Sequence, residues 1–190
     1  DVLSQMSSLT AQVLNDWTSS YRVQFIASTD NTATSALNKM TNDYIYYFEK
    51  GPRANKFGIP AGVFSTDPLP KKIEAFYNQG ISKELSLEAL NATINFFNGK
   101  HYNSATIGVS FSDYLESLEN SILSQSIVNQ FTIAKNKINT LDNNFYNQVI
   151  TDNSAMLSSY DELQKVVVLL KVDMLQAFDI STDYVDADGD

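Results

Sequence analysis

Cysteine is absent from the 190 residues, which excludes disulfides and thiolate metal sites. Histidine occurs once, as His101, so a two-histidine zinc motif is impossible, and any Ser-His or Cys-His nucleophile pair would have to be built around that residue. Cationic side chains are scarce too. Thirteen Lys and Arg against 22 Asp and Glu leave a formal net charge of -9, with no surplus cation to neutralise phosphates. That balance argues against nucleic acid and against anionic membrane surfaces as partners. No apolar run approaches the roughly 18 residues of a transmembrane helix. The most apolar stretch, Val166 to Val172, is short and interrupted by Lys171. Proline is rare, and all four prolines fall between Pro52 and Pro70.

What is present is helical periodicity. Val2, Met6, Leu9, Val13, Trp17 and Tyr21 recur at steps of three and four, which predicts one stripe of an opening helix. Leu37, Met40, Tyr44, Tyr47 and Phe48 predict a second helix over 34–50, stopped by Gly51-Pro52 and pairing antiparallel with the first. Further helices are expected as a short one at Ile73, Phe76 and Tyr77, one from Leu85 to Phe97, one capped by Ser112 or Asp113, and one from Ile122 to Leu141. The last is expected from Ser154 to Phe178. There the β-branched Val166-Val167-Val168 run competes for strand, but six turns of helical spacing without Gly or Pro decide for helix. With 43% hydrophobic content and no compositional break, one core is expected over 1–190. The fold class is all-α, an up-down bundle of four-helix type. Asp1-Val2-Leu3-Ser4 carries no initiator Met, basic n-region or apolar h-region, so any targeting segment is expected upstream and the chain reads as a fragment.

The residues from Gly51 to Pro70 are expected to form a long ordered loop. Pro60, Pro68 and Pro70 oppose regular helix, Gly58 and Gly62 permit left-handed backbone, and Ile59, Val63 and Phe64 pin the segment to a core. The run Gly58 to Ser65, the step Pro68-Leu69-Pro70 and Glu74-Ala75-Phe76-Tyr77 resemble the second half of imelysin-like proteins, a bacterial group classed with metallopeptidases. The likeness continues through Leu85 to Gly99 and through the ending from Leu170 to Asp190. This resemblance implies a helical bundle paired with a related upstream bundle, in an exported protein of the periplasm or anchored at the outer membrane as a lipoprotein, linked to iron uptake. The family's metal-binding signature, Gly-x-His-x-x-Glu, belongs to the preceding half, and no position here matches it. Iron or zinc would therefore be held through that upstream half.

Four features remain for chemistry. Arg53 and Lys56 flank the expected loop and Glu74 lies just beyond it. They read either as a surface ion pair with a helix-terminal carboxylate, or as recognition of a small ligand or of the upstream domain, with Gly58, Pro60, Gly62 and Ser65 shaping the contact. The acidic tail over 181–190 places Asp183, Asp186, Asp188 and Asp190 at near-alternate positions around Gly189, oxygen donors of the kind calcium prefers. Its glycine comes earlier than in an EF-hand loop, and no closing Glu follows. His101 sits in the polar turn after Asn98-Gly99-Lys100, where an imidazole is solvated. Tyr44, Tyr46, Tyr47 and Phe48 are too many rings for one buried stripe, and Tyr46 is the expected surface contact. The functional expectation is a non-catalytic binding protein, with a metallopeptidase half and a structural interaction module as the alternatives.

Overall fold

The computed structural model of the chain describes residues 1–185. In chain order its helices are α1 (Val2–Asp16), α2 (Arg22–Ala27), α3 (Ala36–Phe48), α4 (Ile59–Ala61), α5 (Ser82–Phe97), α6 (Phe111–Ser117), α7 (Ser121–Asn139), α8 (Phe145–Thr151), α9 (Asn153–Val168) and α10 (Leu175–Ala177). Among the described residues the sole extended pairing is an isolated bridge between Lys100 and Ile107, so the fold is all-α. The rod begun by α3 packs on α5, α5 on α7, α7 on α9, and α9 back on that first rod, which closes a four-helix bundle.

Apolar spacing explains the closure. On α9, Met156, Leu163, Val166 and Val167 are buried, and Leu170 and Met174 extend the stripe beyond it, as the unbroken apolar run requires of a central helix. Phe48 of α3, Phe97 of α5 and Phe131 of α7 meet at the centre. The start of α9 is fixed by Asp152, whose carboxylate accepts from the Ala155 amide and the Ser154 hydroxyl. Those two bonds hold the Asp152 carboxyl below its ordinary pKa. A lowered pKa contributes stability above the unfolded-state value and loses it as pH falls through the folded-state value. Asp152→Asn is therefore expected to shallow the loss of stability between neutral and acid pH, read from urea midpoints at the two ends. An unchanged acid slope would show that the charge at this cap contributes nothing.

Several expectations need correction. The first helical stripe is not covered: α1 buries no side chain, and Val2, Leu3, Met6, Leu9 and Val13 are all exposed. Pairing of the first helix with α3 is confined to Trp17, Tyr21 and Phe25, which face Met40, Tyr44 and Tyr47 across a groove. In place of one short helix at Ile73–Tyr77 there are two 3₁₀ turns, Pro70–Lys72 and Phe76–Ile81, separated by Ala75 in left-handed backbone. The cap of α6 is Ser110 rather than Ser112 or Asp113. Its hydroxyl accepts from the Asp113 amide and donates to the Asp113 carboxylate.

The largest correction concerns 51–70. The backbone stays helical from α3 through a π-helical stretch, Glu49–Gly58, into α4, so the expected loop begins only at Gly62. Proline 52 is accommodated because wide turns reach five residues back. The Ile59 amide donates to Ala54, and Val63 to Gly58. Pro60 lies just past the junction of the π-helical stretch with α4, two residues before the rod ends at Gly62. The rod ends at Gly62, at φ 83°, where an added Cβ would lie 2.8 Å from the Asp67 carbonyl oxygen.

Candidate functional site

A π-helical stretch also follows α9, at Leu169–Met174, and between it and Glu49–Gly58 lies a buried charged cluster. Arg53 is fully buried and Glu49 is 2% exposed. One turn apart on the same rod, they form an ion pair at 3.4 Å, which the i, i+4 spacing allows. Arg53 Nη1 donates to the Tyr160 hydroxyl at 2.5 Å and to Gln164 Oε1 at 2.8 Å, two acceptors again one turn apart, on α9. Lys171 Nζ approaches the other Glu49 oxygen at 3.4 Å, and the Tyr184 hydroxyl donates to that oxygen at 3.1 Å. The guanidinium also lies over the rings of Tyr160 and Phe64, and the Lys171 ammonium over Tyr184.

Chemically this is an anion held by cations and phenols inside an apolar bundle. One carboxylate beside two cations does not suit a metal ion, whose charge Arg53 and Lys171 would repel. Among the described residues no group of three His, Asp or Glu is placed to hold a metal.

The expected site residues divide between this core and an adjoining surface. Arg53 does not stand on a loop but points inward. Gly58 is helical and closely packed, with an added Cβ 2.5 Å from the Phe64 ring and 2.9 Å from that of Tyr160. Pro60 is buried and its carbonyl accepts from the Leu69 amide at 2.8 Å. Gly62 ends the rod, and the Ser65 hydroxyl donates to the Asp67 carbonyl, pinning the turn that follows. Lys56 and Glu74 form an ion pair, with the Lys56 side chain 12% and the Glu74 side chain 44% exposed. With Tyr47, Gly51, Asn55 and Lys72 they border an open polar cleft of about 400 Å³. Glu74 is 44% exposed, so Glu74→Gln is expected to lower stability by less than about 1 kcal/mol, and by less still in high salt. Urea unfolding at low and high ionic strength checks this, and a loss above that bound would mean the pair is shielded.

Elsewhere, His101 is exposed, in a turn closed by its own amide to the Thr106 carbonyl. Tyr44 is buried, its phenol donates to the Thr93 carbonyl, and burial pushes its pKa well up. Tyr46 and Tyr47 are half-exposed, and Tyr46 packs on Tyr184. Asp183 is exposed and its amide donates to Asn42 Oδ1 at 3.2 Å. Asp186, Asp188 and Asp190, the candidate calcium ligands, lie outside the described residues. No helix among the described residues is long and apolar enough to cross a membrane.

Sequence reading missed Glu49, Tyr160, Gln164, Lys171 and Tyr184. The signal was available in two i, i+4 polar pairs, Glu49/Arg53 and Tyr160/Gln164, set into otherwise apolar stripes beside Phe48, Phe57, Leu163 and Val167. No curated protein and no solved structure matches the chain. The sequence profile of the imelysin family matches residues 1–171, from the N-terminal helix through Lys171 of the buried cluster, and the chain belongs to that family.

Proposed function

We propose that this chain is the C-terminal bundle of an exported imelysin-like protein that binds a metal or small ligand without turning it over, in the periplasm or at the outer membrane, in the service of iron uptake. The observation that carries the reading is the apolar stripe Val2, Met6, Leu9 and Val13 on α1, exposed over about three turns. A stripe of that length on a family member is the seat of a second bundle, because isolated exposed apolar residues are ordinary but a continuous helical face of them is an interface. In this reading the upstream bundle holds the iron or zinc, while the present chain contributes its buried Glu49–Arg53 cluster as scaffold and the cleft at Lys56 and Glu74 as contact surface. Export and the link to iron rest on family resemblance.

The test is titration calorimetry of ferrous, ferric-chelate, zinc and calcium ions into this chain and into the same chain joined to its upstream half. Micromolar binding of iron or zinc by the joined protein alone, without peptide hydrolysis, is the expected result. Chelator-sensitive hydrolysis by the joined protein would replace this reading with the metallopeptidase one, and absence of binding in both forms would leave an interaction module. Calcium binding by the present chain alone would place a cation site at the acidic C-terminus.

A further inference from the structure

Past α1 the same apolar stripe continues along the N-terminal helix and there meets the bundle. Trp17, Tyr21 and Phe25 form one wall of a groove of about 780 Å³, and Tyr44, Tyr47 and Phe96 line the other. We propose that this groove is a binding site for a planar, uncharged aromatic molecule.

Each wall is a pre-assembled set of rings. Trp17 lies 5.4 Å from Phe25 and 5.9 Å from Tyr21, while Tyr44 stacks on Phe96 at 5.4 Å with 22° between planes. Among the described residues no ring of one wall is in contact with a ring of the other, so the walls face each other across open space. Trp17 is 38%, Tyr47 51% and Phe96 50% exposed, which leaves part of each ring free for a ligand. The volume is that of a small-molecule site, predominantly apolar with a few polar groups at the edge. Those groups cancel in charge: Lys39 and Asp43 are the ionisable groups on the rim, one of each sign, so a net charge on the ligand gains nothing.

Size favours a compact molecule, since about 780 Å³ lies within the range of small-molecule sites. The turn from α2 to α3, which lends the lining Ser28, Thr34 and Ala36, is pinned by the Ala36 amide donating to Ser28 Oγ at 3.2 Å and by Asn31 Nδ2 donating to the Asp179 carbonyl at 3.0 Å. A flat ring system placed in the groove has aromatic side chains on both sides. The groove does not use Val2 to Val13, so seating of an upstream bundle there leaves it open, and the two proposals fail separately.

Trp17 is the single tryptophan, so its emission reports occupancy directly. The probe is 2-naphthol at pH 7, uncharged and planar, titrated by calorimetry and by Trp17 emission, with 1-adamantanol as a bulky non-planar comparison and naphthalene-2-sulfonate as an anionic one. One-to-one saturation by 2-naphthol, with a change in Trp17 emission and clearly weaker binding of the other two, is expected. Phe96→Ala and, separately, Tyr47→Ala each remove one half-exposed ring and are expected to weaken 2-naphthol roughly three- to tenfold, the worth of one aromatic contact. Tyr46→Ala, outside the groove, is expected to leave it unchanged. Adamantanol binding as tightly, no binding of naphthol, or affinities untouched by both ring removals would overturn the proposal. So would a dimer by sedimentation whose formation excludes naphthol, since the groove would then be filled by a second copy.

Discussion

Arg53→Ala is expected to lower the stability of the bundle by about 3–5 kcal/mol, the cost of breaking a buried ion pair by removing one partner. The side chain is wholly enclosed and serves several groups at once. Its guanidinium faces Glu49 at 3.4 Å, donates to Tyr160 and Gln164, and stacks against Phe64. Deleting it leaves the Glu49 carboxylate, 2% exposed, to Lys171 and Tyr184, and removes the donor that orients two α9 side chains. Arg53→Lys is expected to lose less than alanine but not nothing, because one ammonium cannot reproduce two directed donors and a planar stack. Unfolding in urea, followed by helical circular dichroism, measures both. A parent-like Arg53→Ala midpoint would mean that the cluster is solvated in solution, and would remove the basis for calling it scaffold.

The reason this cluster was only half legible lies in what Pro and Gly say from sequence. Gly51-Pro52 and Gly58-x-Pro60 are the residues that ordinarily end a helix, and they made 51–70 look like a loop. Here Pro52 sits in a π-helical stretch and Pro60 just past that stretch's junction with α4, two residues before the rod ends at Gly62. Gly58 is helical because Phe64 and Tyr160 take the place of its side chain. Local propensity was overridden by tertiary packing, and that packing depends on α9, more than 100 residues away in sequence. From sequence Arg53 reads as a cation flanking a loop, and its inward direction follows only from the continuing rod. Where residues follow simple apolar spacing with no such breakers, as on α5, α7 and α9, sequence and structure agree to within a few residues. The α1 stripe was legible as a pattern and not as a contact, since periodicity identifies a face without identifying what covers it.

Phe131→Ala is the second large effect, expected to cost about 3–5 kcal/mol through lost burial and the cavity left behind. Phe131 sits on α7, 1% exposed, with its ring edge-on to Phe48 of α3 at 5.6 Å and to Phe97 of α5 at 6.1 Å. It therefore joins three of the four rods, and α7 itself packs on the fourth. Truncation opens a hole that Phe48 and Phe97 cannot fill without leaving their rotamers, because each is itself fully buried. Phe131→Leu retains most of the volume and is expected to cost well under half as much. For a chain of this size each kcal/mol moves the melting midpoint by roughly 2–4 °C, so the alanine variant should melt on the order of 10 °C or more below the parent. Phe96→Ala is the internal comparison, since Phe96 neighbours Phe97 in sequence but is 50% exposed beside the groove. Its small loss against the large one at Phe131 would separate rings that hold the bundle from rings left open for a ligand; equal losses would mean that the groove is part of the core.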